Sequence, residues 1–364
     1  MSGIHQFVPM LHRADAVGRH TLRLRDVLVA RGIPSHIYVE MDDPETASET
    51  RPFARYADEA SPGDVLVYQF ATASGIGAWL GARSETLVVN YHNVTPPEFY
   101  APWDNGMARH QLLAQTQLRE LAGRAALGLA VSSFNESELR QAGFRRTAVV
   151  PPAAMVPAAA PTPAAVQRPA APAGAGARWV SVGRLAPNKA IELAVMALLV
   201  TREHDDPAAT LQVVGRSVVP SYTAALRRFV DELGLHGAVV FRGALSDAAL
   251  AAAVAAADVF VLTSRHEGFG VPVLEAMALG VPVVANDAGA LPEVVGDGGL
   301  LVDANDPYAL AGAVAQLRHR SELRSALTEA AWRRVGALDL PSAGDRAVDL
   351  VSALSPHRPP AAPA

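Results

Sequence analysis

The sequence predicts an α/β protein made of two doubly wound parallel-sheet halves with a linker between them. Three observations carry this. Short β-branched or aromatic runs alternate with helical patterns along most of the 364 residues, the rhythm of parallel strands and crossover helices. The composition changes abruptly from Pro151 to Arg178, in a stretch rich in alanine and proline without a periodic apolar face. After it the strand–helix rhythm starts again.

In the first half the strand candidates are "IHQFVPML", "SHIYVE", "DVLVYQF", "TLVVNYH", "LGLAVSS" and "TAVVPP". Helical patterns lie between several of them. "SFNESELRQAG" is one, with Asn135 or Ser133 as N-cap and Gly143 as the stop. In the second half "RWVSVGRL", "TLQVVGR", "AVVFRG", "DVFVLTS" and "PVVAND" are strands, with "AIELAVMALLV", "SYTAALRRFVDELG", "SDAALAAAVAAA" and "PVLEAMALG" as helices. The expected organisation is a domain over 1–150, a linker over 151–178, a second domain over 179–338, and a last helix with a disordered tail over 339–364. A long decorated loop within one domain is the other reading of 151–178. Two doubly wound halves would leave a cleft, and such sheets bind ligands beyond the carboxyl ends of their strands.

Half of the residues are hydrophobic and 18% are charged, a globular composition. A formal charge of -5 gives no electrostatic reason to bind nucleic acid. With no cysteine, disulfides and thiolate metal sites are excluded. The apolar tract "AALAAAVAAADVFVL" is interrupted by Asp258 and reads as a surface helix followed by a strand, not a membrane span. A cytoplasmic location is expected, with at most peripheral contact at the inner face of the membrane.

The chemistry gathers in two segments. "SRHEGFGVPVLEAMALGVPVV" places Glu267 and Glu275 eight residues apart in apolar company, around Gly268-Phe269-Gly270. The glycines admit close backbone approach before a helix that begins near Pro272, and a helix N-terminus suits a phosphate. A carboxylate accepts two hydroxyl hydrogen bonds, the contact that a ribose or sugar diol offers. The same residues also fit a helix cap at Glu275 and a solvated Glu267. "VSVGRLAPNKAIEL" sets Arg184 and Lys189 just after a strand, a fork and a compact charge able to neutralise a diphosphate. No Walker loop and no D-x-D occurs.

From Trp179 to about Arg334 these motifs resemble the C-terminal half of family 4 glycosyltransferases, retaining enzymes of the GT-B fold. The resemblance implies two Rossmann-like domains facing a cleft, with a C-terminal helix crossing back to the N-terminal domain. It implies that Arg184 and Lys189 hold the donor diphosphate, that Glu275 binds the nucleotide ribose, and that Glu267 and the backbone of Gly268 to Gly270 meet the donor sugar and its phosphates. The N-terminal half is less similar. "HRADAVGRH", with Asp15 and Gly18, and "NYHNVTPPEFY" look like a subgroup with a D-A-V-G loop, and His92 matches the histidine placed beside the donor sugar. Ser132 and Ser133 in "AVSSFNESELRQAGF" are candidate cleft residues. In "VVGRSVVPSY", Arg216 stands where an acid is common.

The expected function is therefore metal-independent transfer of a sugar, with retention, from a nucleotide-diphosphate sugar (GDP or UDP) to a hydroxyl acceptor. That acceptor is a glycan, a lipid-linked intermediate or a small metabolite. No cofactor beyond the donor substrate is expected. Two other classes stay open: a sugar-nucleotide epimerase or hydrolase, which would need further acid and base groups facing the sugar, and a non-catalytic nucleotide-sugar-binding protein.

Overall fold

The structure is a computed structural model that describes residues 2–13, 15–153 and 176–355. Most of the expected linker (154–175) and the tail from 356 lie outside the described residues. The chain forms two compact units, one of residues 1–97, 106–155 and 339–364, the other of 98–105 and 156–338.

The first unit begins β1 (Ile4–Met10), α1 (Ala16–Ala30), β2 (Ile37–Met41), β3 (Thr50–Pro52), α2 (Tyr56–Glu59), β4 (Val65–Phe70), α3 (Gly75–Gly81) and β5 (Thr86–Tyr91). Next come α4 (Pro97–Tyr100), most of which belongs with the second unit, and α5 (Asn105–Ala122), β6 (Leu127–Ala130), α6 (Ser133–Gln141) and β7 (Thr147–Val149). The seven strands pair in parallel in the order β3-β2-β1-β4-β5-β6-β7. β4 and β5 are buried on both faces, which is why they read as apolar runs rather than alternating ones. One face packs Phe7, Tyr68, Phe70 and Val89 against the apolar side of α5; the other packs Ile4, Val65, Val67 and Leu129 against α1.

The second unit runs β8 (Arg178–Val182), α7 (Ile191–His204), β9 (Thr210–Val214), α8 (Pro220–Glu232), β10 (Val239–Gly243), α9 (Asp247–Ala255), β11 (Val259–Leu262), α10 (Val271–Ala278), β12 (Val283–Asn286), α11 (Leu291–Val295) and β13 (Leu300–Val302). It closes with α12 (Pro307–His319) and α13 (Ser321–Ala337). Its six strands are parallel in the order β10-β9-β8-β11-β12-β13. The last described helix, α14 (Leu340–Ser352), returns to the first unit and packs on α1.

Both sheets therefore place their first strand in the middle and reverse direction beside it, between β1 and β4 and between β8 and β11. Such reversals open the crevice where doubly wound sheets bind ligands.

Two local expectations change. α6 is capped by Ser132, whose hydroxyl accepts from the Asn135 amide at 3.1 Å, rather than by Asn135 or Ser133. β3 and β13 were not expected at all. Each is a three-residue edge strand, too short for an apolar alternation to reveal it, and β3 ends in proline.

Candidate functional site

In the second unit the site is assembled at the carboxyl ends of β8, β9 and β11. β8 and β9 stay paired past their last strand residues. Gly183 donates to the Val214 carbonyl and Leu185 to that of Arg216, both at 2.9 Å. A Cβ on Gly215 would lie 1.9 Å from the Gly183 carbonyl oxygen, so only glycine lets the two loops touch. The shared register sets Arg184 beside Arg216. Both are exposed, and among the described residues neither forms an ion pair with a carboxylate.

Beyond Arg184 a single tight turn, Pro187–Lys189, leads into Ala190 at φ 47, a left-handed conformation for a residue with a side chain. Strain of that kind persists only where its surroundings hold it. Here the loop after β11 does so. Thr263 Oγ1 shares its proton between the Lys189 and Ala190 carbonyls at 3.0 and 2.9 Å. Asn188, itself buried, donates to the His266 carbonyl at 3.0 Å and accepts from the Arg265 amide at 2.8 Å. The outcome is that Lys189 Nζ lies 2.5 Å from Glu267 Oε2, between side chains only 15% and 14% exposed. Seventy-eight residues of sequence separate the two.

Glu267 is fixed from the other side as well. Its carbonyl accepts from Ala290 at 2.9 Å, and a Cβ on Gly289 (φ 59) would come within 2.5 Å of that same oxygen. Gly270, at φ 98, is the N-cap of α10 with proline in the first turn. Phe269 is buried, so only its backbone can meet a ligand. Within α10 the residues around Glu275 are core (Val273, Leu274, Ala276 and Met277), whereas Glu275 itself is half-buried. Ser181, Gly183, Arg184, Lys189 and Leu262 line a small open pocket at this end of the sheet. Arg184, Lys189, Glu267 and the glycine loop thus come together in one unit.

The other expected residues lie in the first unit, at the carboxyl side of its own sheet. Asp15 caps α1 and accepts from the Gly18 amide at 2.6 Å. A Cβ on Gly18 would sit 1.7 Å from the His12 carbonyl oxygen, so this glycine lets the helix start against the preceding loop. Its amide and its α-face are both occupied by the chain itself. The Ser132 hydroxyl is the cap of α6, and Ser133 is exposed beside it.

His92 follows β5 and is partly buried, its Nε2 2.7 Å from Gln69 Oε1. Burial, with His20 as a second imidazole nearby, pushes its pKa well below the ordinary histidine value. The two rings meet edge to face at 5.1 Å. The next residue, Asn93, has φ 86, and its amide donates to Asn135 Oδ1 and Glu138 Oε2 at 3.0 and 2.9 Å. Burial raises Glu138 to about 7.

The sequence reading missed the residues that hold these groups in place: Asn188 and Thr263 in the second unit, Gln6, Gln69, Asn90 and His20 in the first. A signal was present for three of them. Gln6, Gln69 and Asn90 are the polar members of otherwise apolar parallel strands, where a polar side chain must find a partner.

The fold is common to several solved structures at about a fifth identity: sucrose-phosphate synthase from Thermosynechococcus elongatus (TM-score 0.75, 21% identity, 97% of this chain and 99% of that one) and Anabaena HepE in complex with UDP and glucose (TM-score 0.73, 20% identity, 96% and 100%). WaaG, a glycosyltransferase involved in lipopolysaccharide biosynthesis, aligns with a TM-score of 0.69 at 17% identity over 96% of this chain and 99% of its own. Among curated sequences, mannosylfructose-phosphate synthase of Agrobacterium fabrum is 38% identical over 103 residues, 27% of this chain and under a quarter (23%) of that enzyme. Residues 171–334, which carry Arg184, Lys189, Glu267 and Glu275, match the family described as Glycosyl transferases group 1.

Proposed function

We propose that the protein is a retaining glycosyltransferase that moves a sugar from a nucleotide-diphosphate sugar to a hydroxyl acceptor. One observation carries the reading. The chain brings Lys189 to Glu267 at the topological reversal of its second sheet, with Arg184 at the end of the adjoining strand. Cations there suit a diphosphate, and a carboxylate held beside them suits sugar hydroxyls. The family match over 171–334 supports it further. Because HepE is known bound to UDP and glucose, a UDP-sugar is the first donor to test.

In this reading Arg184 and Lys189 offset the charge that develops on the departing nucleoside diphosphate, aided by the N-terminus of α10. Transfer without a metal ion is part of the same proposal, and the EDTA arm of the experiment below tests it. Glu275 holds the ribose. Glu267 is engaged by Lys189, which favours hydroxyl contact over nucleophilic attack. The acceptor would then be deprotonated with help from the leaving phosphate, on the same face of the sugar. His92, Gly18 and the loop before α1 belong to the acceptor-side unit, and His92 orients the donor sugar.

The experiment is incubation of the purified protein with single UDP- and GDP-sugars, with and without hydroxyl acceptors, following release of nucleoside diphosphate. Acceptor-dependent release that survives EDTA is the expected result. Release without acceptor indicates a hydrolase, and binding without release a non-catalytic sensor.

A further inference from the structure

A chain of buried polar side chains crosses the first unit beneath His92. It starts at the Thr21 carbonyl, which accepts from Gln6 Nε2 at 2.9 Å. Gln6 Oε1 accepts from Gln69 Nε2 at 2.7 Å. Gln69 Oε1 then faces two groups, Asn90 Nδ2 at 3.0 Å and His92 Nε2 at 2.7 Å. Gln6, Thr21 and Gln69 are all fully buried, with Asn90 nearly so. Among the described residues His92 Nδ1 makes no hydrogen bond.

We propose that Gln69 is a positioning residue that holds His92 as the neutral Nε2–H tautomer, leaving Nδ1 as a hydrogen-bond acceptor for a hydroxyl group. The argument is one of polarity. A backbone carbonyl can only accept, so Thr21 fixes which end of the Gln6 amide faces it. Gln6 fixes Gln69 in the same way, and Gln69 must then present an oxygen to His92. An oxygen takes its hydrogen bond only from a protonated Nε2. Burial opposes a second proton on the ring.

The far end of the chain tests this logic. His20 Nδ1 accepts from the Ala153 amide at 2.9 Å, while its Nε2 lies 2.7 Å from Asn90 Nδ2. Both contacts bring donors to the ring, and one exceeds what a neutral imidazole with its own N–H can accept. Turning over all three amides would satisfy His20. It would also set Gln6 Oε1 against the Thr21 carbonyl and move the His92 proton to Nδ1. The Thr21 carbonyl is locked inside α1, whereas Ala153 lies outside any helix or strand, so we place the mismatch at His20, with Gln69 keeping its oxygen towards His92.

The consequence rests on the proposed placement of His92 beside the donor sugar. A neutral imidazole with an open Nδ1 orients a hydroxyl by accepting from it. It donates nothing to the sugar and carries no positive charge into the reaction.

The test is long-range proton–nitrogen NMR of protein labelled with 15N-histidine, with His92 signals assigned by their loss in His92→Asn. A protonated-type Nε2 and an unprotonated-type Nδ1, unchanged from pH 8 to pH 5, are expected. Gln69→Leu should give averaged, mixed-tautomer signals. Gln69→Glu should bring His92 into titration within that range, because a carboxylate favours its charged form. A proton on Nδ1 in the wild type overturns the proposal, as does an unchanged Nε2–H tautomer in folded Gln69→Leu. If either variant fails to fold, the wild-type spectrum alone decides. If the tautomer is as expected but His92→Asn transfers sugar at the wild-type rate, the assignment of His92 to the donor sugar fails and the role of Gln69 stands.

Discussion

Arg184, Arg216 and Lys189 are three cations at one end of the second sheet, yet among the described residues only Lys189 of the three is matched by a carboxylate, Glu267. This divides their work. Lys189 holds Glu267 in place, while strand register sets the two arginines side by side, where in the proposed reading they meet an anion. Arg184→Ala should lower turnover by roughly 10²–10³. Arg216→Ala, at the edge of the same cluster, should weaken UDP binding by about 10-fold, one charge-assisted hydrogen bond. Calorimetric titration of UDP checks the second, and unchanged affinity removes Arg216 from the site. The two glutamates should also separate. If Glu275 holds the ribose as proposed, Glu275→Gln removes a contact that is the same in ground and transition states and should raise KM. If Glu267 meets the sugar hydroxyls as proposed, Glu267→Gln weakens contacts that tighten as charge develops on the sugar and should lower kcat. Each change is on the order of 1–3 kcal/mol. Donor-varied kinetics at saturating acceptor decide, and an exchange of the two effects would exchange the roles.

At the scale of elements, α6 stands out because it is tied to the loop that follows His92. Glu138 on α6 accepts from Tyr91 at 3.1 Å and from Asn93, and burial is the largest influence on it, raising it to about 7. A carboxyl whose pKa is raised on folding binds its proton more tightly in the native state. Its stabilising contribution is full below about pH 4.5 and is lost as pH rises through 7. Glu138→Gln, which mimics the protonated form, should therefore match the wild type in thermal stability near pH 4 and exceed it above pH 7. The gap is about 3 kcal/mol at most. Melting curves of the pair across that range test it, and a gap that widens towards acid would reverse the assignment. Most of the strands and seven of the fourteen described α-helices could be read from sequence, where β-branched runs and 3.6-residue patterns alternate cleanly. The exceptions have physical reasons. β3 and β13 are each three residues at an edge, and the Ser132 cap turns on one backbone torsion. The Lys189–Glu267 contact was not legible because it depends on Thr263 and Asn188, which look like ordinary loop residues until the fold joins them.

For the whole molecule, the twofold α/β plan was visible in the restart of the strand rhythm after 178, but the passage of residues 98–105 to the second unit was not. Residues 98–105 join the second unit through tertiary contacts, such as Trp103 edge-on to Tyr222 at 5.2 Å and the Ser221 hydroxyl donating to the Trp103 carbonyl at 2.8 Å. The return of α14 to the first unit was suggested by resemblance, and its packing makes a strong demand on stability. Ala343, Ala347, Val348 and Val351 complete the core formed by Leu24, Val27, Leu28 and Val65. Gly344 lies close enough to Val27 that a Cβ would come within 3.2 Å of it. The ion pairs from Arg31 to Asp345 and Asp349 lie at the rim, with all three side chains substantially exposed, and contribute little. Arg31→Ala should therefore leave the melting temperature nearly unchanged. Val348→Ala should cost about 1–3 kcal/mol, since it removes two buried methyl groups and leaves a void. Ending the chain at Leu338 should do far more, exposing the apolar face of α1 and giving a protein that binds a hydrophobic dye and melts well below the wild type. The two substitutions separate packing from charge. If the shortened chain kept the wild-type melting temperature, or if Arg31→Ala lost as much as Val348→Ala, the core beneath α14 would not be what holds this helix and the first unit together.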